Sequence, residues 1–135
     1  MKKGCLAYLL ISLVTVAVFA QTTYEIAPQS ITPPARCYFD AAGESDLAAL
    51  RACFKNDAVI IDVSRKIAGI EAISLWAQAE VFGGRYTILQ MVSQEKNTLK
   101  LLIRFTPQGY SQGFKAHYTF EFSDGKIIKM DLQYA

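Results

Sequence analysis

The chain has 135 residues, 52% of them apolar, with 14 Lys and Arg against 12 Asp and Glu. That length allows a single domain with a modest core, and a near-balanced charge without a basic cluster offers no electrostatic footprint for nucleic acid or anionic lipid. One histidine and three cysteines without C-x-x-C spacing do not make a metal site, and with no Gly-rich phosphate loop or dinucleotide fingerprint in the chain, no cofactor is expected.

Lys2 and Lys3 precede an uncharged apolar run from Cys5 to Phe19, and Val18 and Ala20 supply the small residues of a signal-peptidase site. Cleavage is expected after Ala20. The run falls short of the roughly 20 residues that span a bilayer, and Cys5 stands in front of it instead of behind it, which argues against a lipoprotein anchor. An exported protein, periplasmic or secreted and without a stable membrane anchor, is the expectation. Residues 1–20 are then a signal peptide, 21–31 an extended leader and 32–135 the folded domain. Removing twenty residues from 135 leaves 115, and losing Lys2 and Lys3 leaves twelve basic residues against twelve acidic ones. Two cysteines stay in the mature chain, Cys37 and Cys53. In an oxidising compartment they can pair; as buried thiols they would serve as small apolar residues.

After the leader, Thr32 followed by Pro33 and Pro34 marks a helix start, and the helix runs to about Ala42 and stops at Gly43. Ser45 is placed to cap a second helix, on which Leu47, Leu50 and Phe54 recur at spacings of three and four. Asn56 and Asp57 turn the chain into a strand from Ala58 to Val63, with the carboxylate of Asp62 between Ile61 and Val63. Ser64 to Ala68 reads as a loop. A third helix opens at Gly69, gathers Ile70, Ile73, Trp76 and Ala77 on one face, and ends at Gly83 and Gly84. Four runs rich in β-branched and aromatic residues follow, Tyr86 to Ser93, Thr98 to Thr106, Phe114 to Phe122 and Lys126 to Tyr134, separated by turn residues. In the third run Phe114, Ala116, Tyr118, Phe120 and Phe122 alternate with Lys115, His117, Thr119 and Glu121; in the last, Ile128, Met130, Leu132 and Tyr134 alternate with Lys129, Asp131 and Gln133. Helices first and then an antiparallel meander predict an α+β domain in which three helices cover one face of a curved sheet, leaving a conical hollow.

The segments YFDAAGESDLAALRACFKNDAVIID at 38–62, GIEAISLWA at 69–77 and DGKIIKMDLQY at 124–134, in that order of elements, resemble the nuclear transport factor 2-like superfamily. This superfamily includes ketosteroid isomerases, polyketide cyclases of the SnoaL type, scytalone dehydratase and many ligand-binding proteins. The resemblance spans the whole mature chain and implies a cone-shaped α+β barrel of mainly antiparallel strands. It further implies a homodimer through the outer face of the sheet and a small apolar or aromatic ligand as partner. In the ketosteroid isomerases a strand aspartate moves a proton at carbon and a helix tyrosine donates to the enolate oxygen. By resemblance Asp62 would be the base and Tyr38 the donor. The second donor there is a protonated carboxylic acid, where this chain offers Tyr118.

Each candidate also has a purely structural role open to it. Asp62 serves as a base only if it looks into the hollow; turned outward, it would cap a loop or pair with Arg65. Tyr38 is equally suited to the core, and Trp76, Phe82, Tyr86, Phe120 and Tyr134 either line an apolar ligand pocket or fill it. Arg104 shares its alternation with Lys100 and Thr106 and is expected to face solvent or a second subunit. GYSQG at 109–113 matches the letters of a nucleophile elbow, but it joins two strands, and the elbow needs a strand-to-helix turn. His117 falls on the polar side of its strand. The reading is an exported small-molecule-binding domain, possible as an isomerase, cyclase or dehydratase through Asp62; the alternative is an interaction or assembly module whose hollow is filled by its own side chains.

Overall fold

Two prolines begin α1 (Pro33–Gly43), where their missing N–H groups leave no helix bond unmade. The computed structural model describes residues 21–135, so the expected signal peptide at 1–20 lies outside the described residues. Thr32 stands at the helix start, but its hydroxyl accepts from Gln94 and not from the helix backbone. In α2 (Leu47–Ala52) the cap is Asp46, whose carboxylate accepts from the Ala49 N–H at 3.0 Å, and not Ser45, which sits at φ 53° in the turn before it. The second helix ends before Phe54, and β2 (Phe54–Asp62) begins four residues earlier than its apolar run suggests. The expected loop at Ser64 to Ala68 is instead a strand, β3 (Arg65–Ala68), folded back on β2. α3 (Ile70–Trp76) continues into a wider π-helical turn over Ala77–Val81 before Phe82 breaks away in extended conformation.

The meander comprises β4 (Arg85–Glu95), β5 (Thr98–Thr106), β6 (Phe114–Ser123) and β7 (Lys126–Tyr134), each antiparallel to the next. β2 joins β7 in parallel and carries β3 at one edge. At the other edge β1 (Thr23–Tyr24), from the segment expected as an extended leader, lies parallel to β4. The result is one open, mixed, seven-stranded sheet in the order β1-β4-β5-β6-β7-β2-β3, with the three α-helices against its inner face. Register shifts in β4 and at Glu121/Phe122 mark bulges, which bend strands and so curve the sheet. The bulge opposite Phe122 also changes the phase of β7: Ile127, not Ile128, is the fully buried residue there.

Phe39, Tyr38 and Ala42 from α1, Leu50 from α2 and Ile73 from α3 meet the sheet's inner rows in a single core. Cys37 and Cys53 form a disulfide, with Cα atoms 5.9 Å apart, that ties the exposed side of α1 to the end of α2. For a separation of 16 residues the chain-entropy account assigns such a bond about 3 kcal/mol of stability.

Candidate functional site

The register of the sheet settles where Asp62 points. Residues directly opposite one another share a face, and Leu101, Tyr118, Leu132 and Asp62 form one row across β5, β6, β7 and β2. The first three are buried, so this is the inner row and Asp62 is on it. Its side chain, 27% exposed, borders a cavity of about 420 Å³ between the β2–β3 hairpin, the π-turn and the Pro107–Gly113 connection. The inward and Arg65-paired alternatives turn out to be compatible. Arg65 Nη2 donates to Asp62 Oδ2 at 2.6 Å, Trp76 Nε1 donates to the same oxygen at 3.3 Å, and Oδ1 has no partner among the described residues.

Starting from Tyr118 on the same inner row, three phenols form a chain. Tyr38 Oη lies 2.9 Å from Tyr86 Oη, which lies 3.3 Å from Tyr118 Oη. Three hydroxyl hydrogens serve two links, and counting them orients the chain. Tyr38 is wholly buried among Phe39, Phe54 and Phe120, with no other hydrogen-bond partner among the described residues. A buried donor must be spent, so Tyr38 donates to Tyr86, and the one hydrogen left over belongs to the pair Tyr86 and Tyr118, both of which border the cavity. Such chains polarise each member in the same sense.

The expected residues therefore divide. Asp62, Tyr118, Trp76, Tyr86 and Tyr134 border the cavity. Tyr38 stands one phenol behind its wall, where it can act on a ligand only through Tyr86. Phe120 is fully buried in the aromatic cluster and Phe82 is half-buried against the core; neither borders the cavity. The narrow end of the cone is thus packed with rings, and the open end is hollow. Arg104 is exposed, and His117 is half-buried on the outer face opposite Leu102 and Gln133.

The profile of the SnoaL-like domain matches residues 35–130. The chain belongs to that family. No curated protein matches it in a sequence comparison. Among solved structures, the SnoaL-like chain is similar in fold to a protein from Sinorhizobium meliloti named as a polyketide cyclase, at 21% identity and a TM-score of 0.71 over 80% of this chain and 100% of that one. A protein from Kribbella flavida named as a ketosteroid isomerase matches at 16% identity and a TM-score of 0.67, over 77% and 76% of the two chains. A protein from Mycobacterium tuberculosis in complex with estradiol-17beta-hemisuccinate matches at 16% identity and 0.67, over 82% and 95%.

In this SnoaL-like domain burial pushes all three phenols of the chain well above the usual tyrosine value of 10.0, and the charges of neighbouring tyrosines and of Asp62 push the same way. They remain protonated donors in the folded state while the unfolded chain would ionise. The native state then holds more protons than the unfolded one above about pH 10, so stability falls as pH rises past that point, by about 1.4 kcal/mol per pH unit for each phenol. Alkaline unfolding is expected to be cooperative, with the tyrosinate absorbance of these three appearing together with the loss of near-ultraviolet circular dichroism. A gradual ionisation of all the tyrosines in a still-folded protein would contradict it.

Sequence pattern named Tyr86 as a lining ring but did not find its hydroxyl's place between two others, and it did not find Glu80 or Tyr110, which also border the SnoaL-like cavity. The Pro107–Gly113 stretch held a signal, since an exposed tyrosine in a long turn beside an aromatic strand is a natural rim residue.

Proposed function

We propose that this SnoaL-like domain binds a small, largely apolar ligand in its cavity, and that its enzymatic form is acid–base chemistry at Asp62. The observation that carries the reading is the presence of an unpartnered carboxylate oxygen and a phenol two strands apart on one inner row of the sheet, both bordering one open hollow of about 420 Å³. That volume lies in the range of small-molecule sites. The solved structures lend support: one similar protein is bound to estradiol-17beta-hemisuccinate, another is a designed 17-OHP binder, and two carry the names of a polyketide cyclase and a ketosteroid isomerase.

The chemistry follows from what each group can do. Oδ2 of Asp62 is occupied by Arg65 and Trp76, leaving Oδ1 to take a proton from a carbon next to a carbonyl. The C–H electron pair becomes a carbon–carbon double bond as the carbonyl π pair moves onto its oxygen, which Tyr118 stabilises by donating its hydrogen, backed by Tyr86 and Tyr38. Return of the proton to another carbon makes an isomerase, attack of the carbanion on a second carbonyl a cyclase, and expulsion of a hydroxyl a dehydratase. The reading includes export with Gln21 as the new N-terminus, and a homodimer through the outer face of the sheet. The ring-filled narrow end favours a second reading, an interaction module that performs no chemistry.

The test is to incubate the purified protein with a metabolite mixture and identify what stays bound by mass spectrometry. A neutral aromatic or polycyclic compound is expected at one per chain, and Ala116→Trp, which places an indole in the hollow, should abolish its retention. Retention of nothing, or retention indifferent to Ala116→Trp, would favour the module.

A further inference from the structure

The cavity has a charge pattern that its apolar character conceals. Two carboxylates border it, Asp62 from β2 and Glu80 from the π-turn, and among the described residues no lysine or arginine does. One cation, Arg65 at the start of β3, is shared between them: the same Nη2 that reaches Asp62 Oδ2 at 2.6 Å lies 2.9 and 2.8 Å from the two Glu80 oxygens. Two carboxylates and the one guanidinium they share leave this wall one unit negative, with Arg65 Nη2 turned to Asp62 and Glu80. The π-helical turn contributes directly, because its wider winding sets the position from which Glu80 reaches Arg65 across the mouth. The rest of the exposed rim, including Tyr110, Gln112, Phe114, Gln133 and Tyr134, is uncharged.

We infer that Glu80, by occupying Arg65, sets the charge selectivity of the site, so that the cavity accepts neutral ligands and rejects anions of the same shape. The inference rests on the ligand-binding reading above and adds the class of ligand to it. An anionic ligand meets two carboxylates whose one cation is already shared between them, whereas a neutral one meets a mainly apolar wall, a phenol donor and a carboxylate acceptor. Removing the charge of Glu80 releases Arg65 to pair with the anion.

A matched pair of probes tests this, 1-anilinonaphthalene and its 8-sulfonate, which share one ring system and differ by the anionic group. Trp76 is the only tryptophan in the chain and borders the cavity, so energy transfer from it reports binding at this site. The native protein is expected to bind the neutral probe roughly ten-fold more tightly than the sulfonate. Glu80→Gln should raise sulfonate affinity by roughly ten-fold, an effect reduced by high salt, while leaving the neutral probe within about two-fold. Adding Arg65→Gln to Glu80→Gln should erase that gain. Equal affinities in the native protein, or a sulfonate affinity indifferent to Glu80→Gln, would overturn the selectivity alone. Absence of energy transfer to either probe would overturn the ligand-binding reading and the selectivity with it.

Discussion

Asp62→Asn is expected to leave binding of a neutral ligand within about two-fold while slowing its turnover by roughly 10² to 10⁴, the usual worth of a positioned proton-transfer group. The amide keeps the shape of the carboxylate, and its oxygen can still accept from Trp76 Nε1 and Arg65 Nη2, the two donors that hold Asp62 in place. Arg65 also keeps Glu80 at 2.8 Å, so the hairpin stays tied to the π-turn. What is lost is the ability to take a proton at the oxygen facing the hollow. The cost to the fold should be small, because the Asp62–Arg65 pair is partly exposed at both partners and such pairs contribute about 0 to 1 kcal/mol. Measuring the dissociation constant and the turnover rate on the same preparation separates the two effects. Turnover that survives Asp62→Asn unchanged would remove Asp62 as the base, and a proportional loss of binding would show it to be a ligand anchor instead.

Much of this architecture is visible in local pattern, and the failures have a common physical origin. The change from helical spacing to alternation near Tyr86, and the strict alternation through Phe114 to Phe122, are single-segment properties, so the helices and the meander could be read from them. β3 could not. It is paired on one side only, and of its four residues only Ile67 is buried, so Arg65 and Lys66 look like loop. The phase of β7 was misjudged because a bulge inserts one residue that no periodicity announces. Asp62 was recognisable as the one carboxylate in an apolar strand, but the direction it faces depends on pairing with Leu132 some seventy positions later, and on Tyr118 beyond that. The order of the phenol chain is likewise a long-range fact, since Tyr38 and Tyr86 are 48 residues apart. For the cysteines, sequence offered two outcomes, and only the packing of α1 beside the end of α2 decides between them.

Phe39→Ala is expected to be the most destabilising of these substitutions, at about 3 to 5 kcal/mol. Its ring is wholly buried and makes aromatic contacts with Tyr38 and Tyr86 at 5.2 Å, Phe120 at 5.7 Å and Tyr118 at 6.0 Å. Removal loses the transfer free energy of the ring and leaves a void that two turns of helix and a sheet cannot close by small shifts. Against a typical total of 5 to 15 kcal/mol for a domain of this size, that is enough to bring the protein close to unfolding. The same ring holds all three phenols of the chain, so the site should suffer beyond the loss of stability: at a temperature where Phe39→Ala is still folded, the neutral naphthalene probe should bind more weakly than in the native protein. Leu75→Ala provides the contrast, since Leu75 is 69% exposed on the same layer of helices and its truncation should stay within about 0.5 kcal/mol. Denaturant unfolding followed by circular dichroism gives both numbers. A Phe39→Ala cost below about 1 kcal/mol would mean that the ring-filled end of the cone is already loose, and a loosely packed plug could not hold the Tyr118 hydrogen aimed at a ligand.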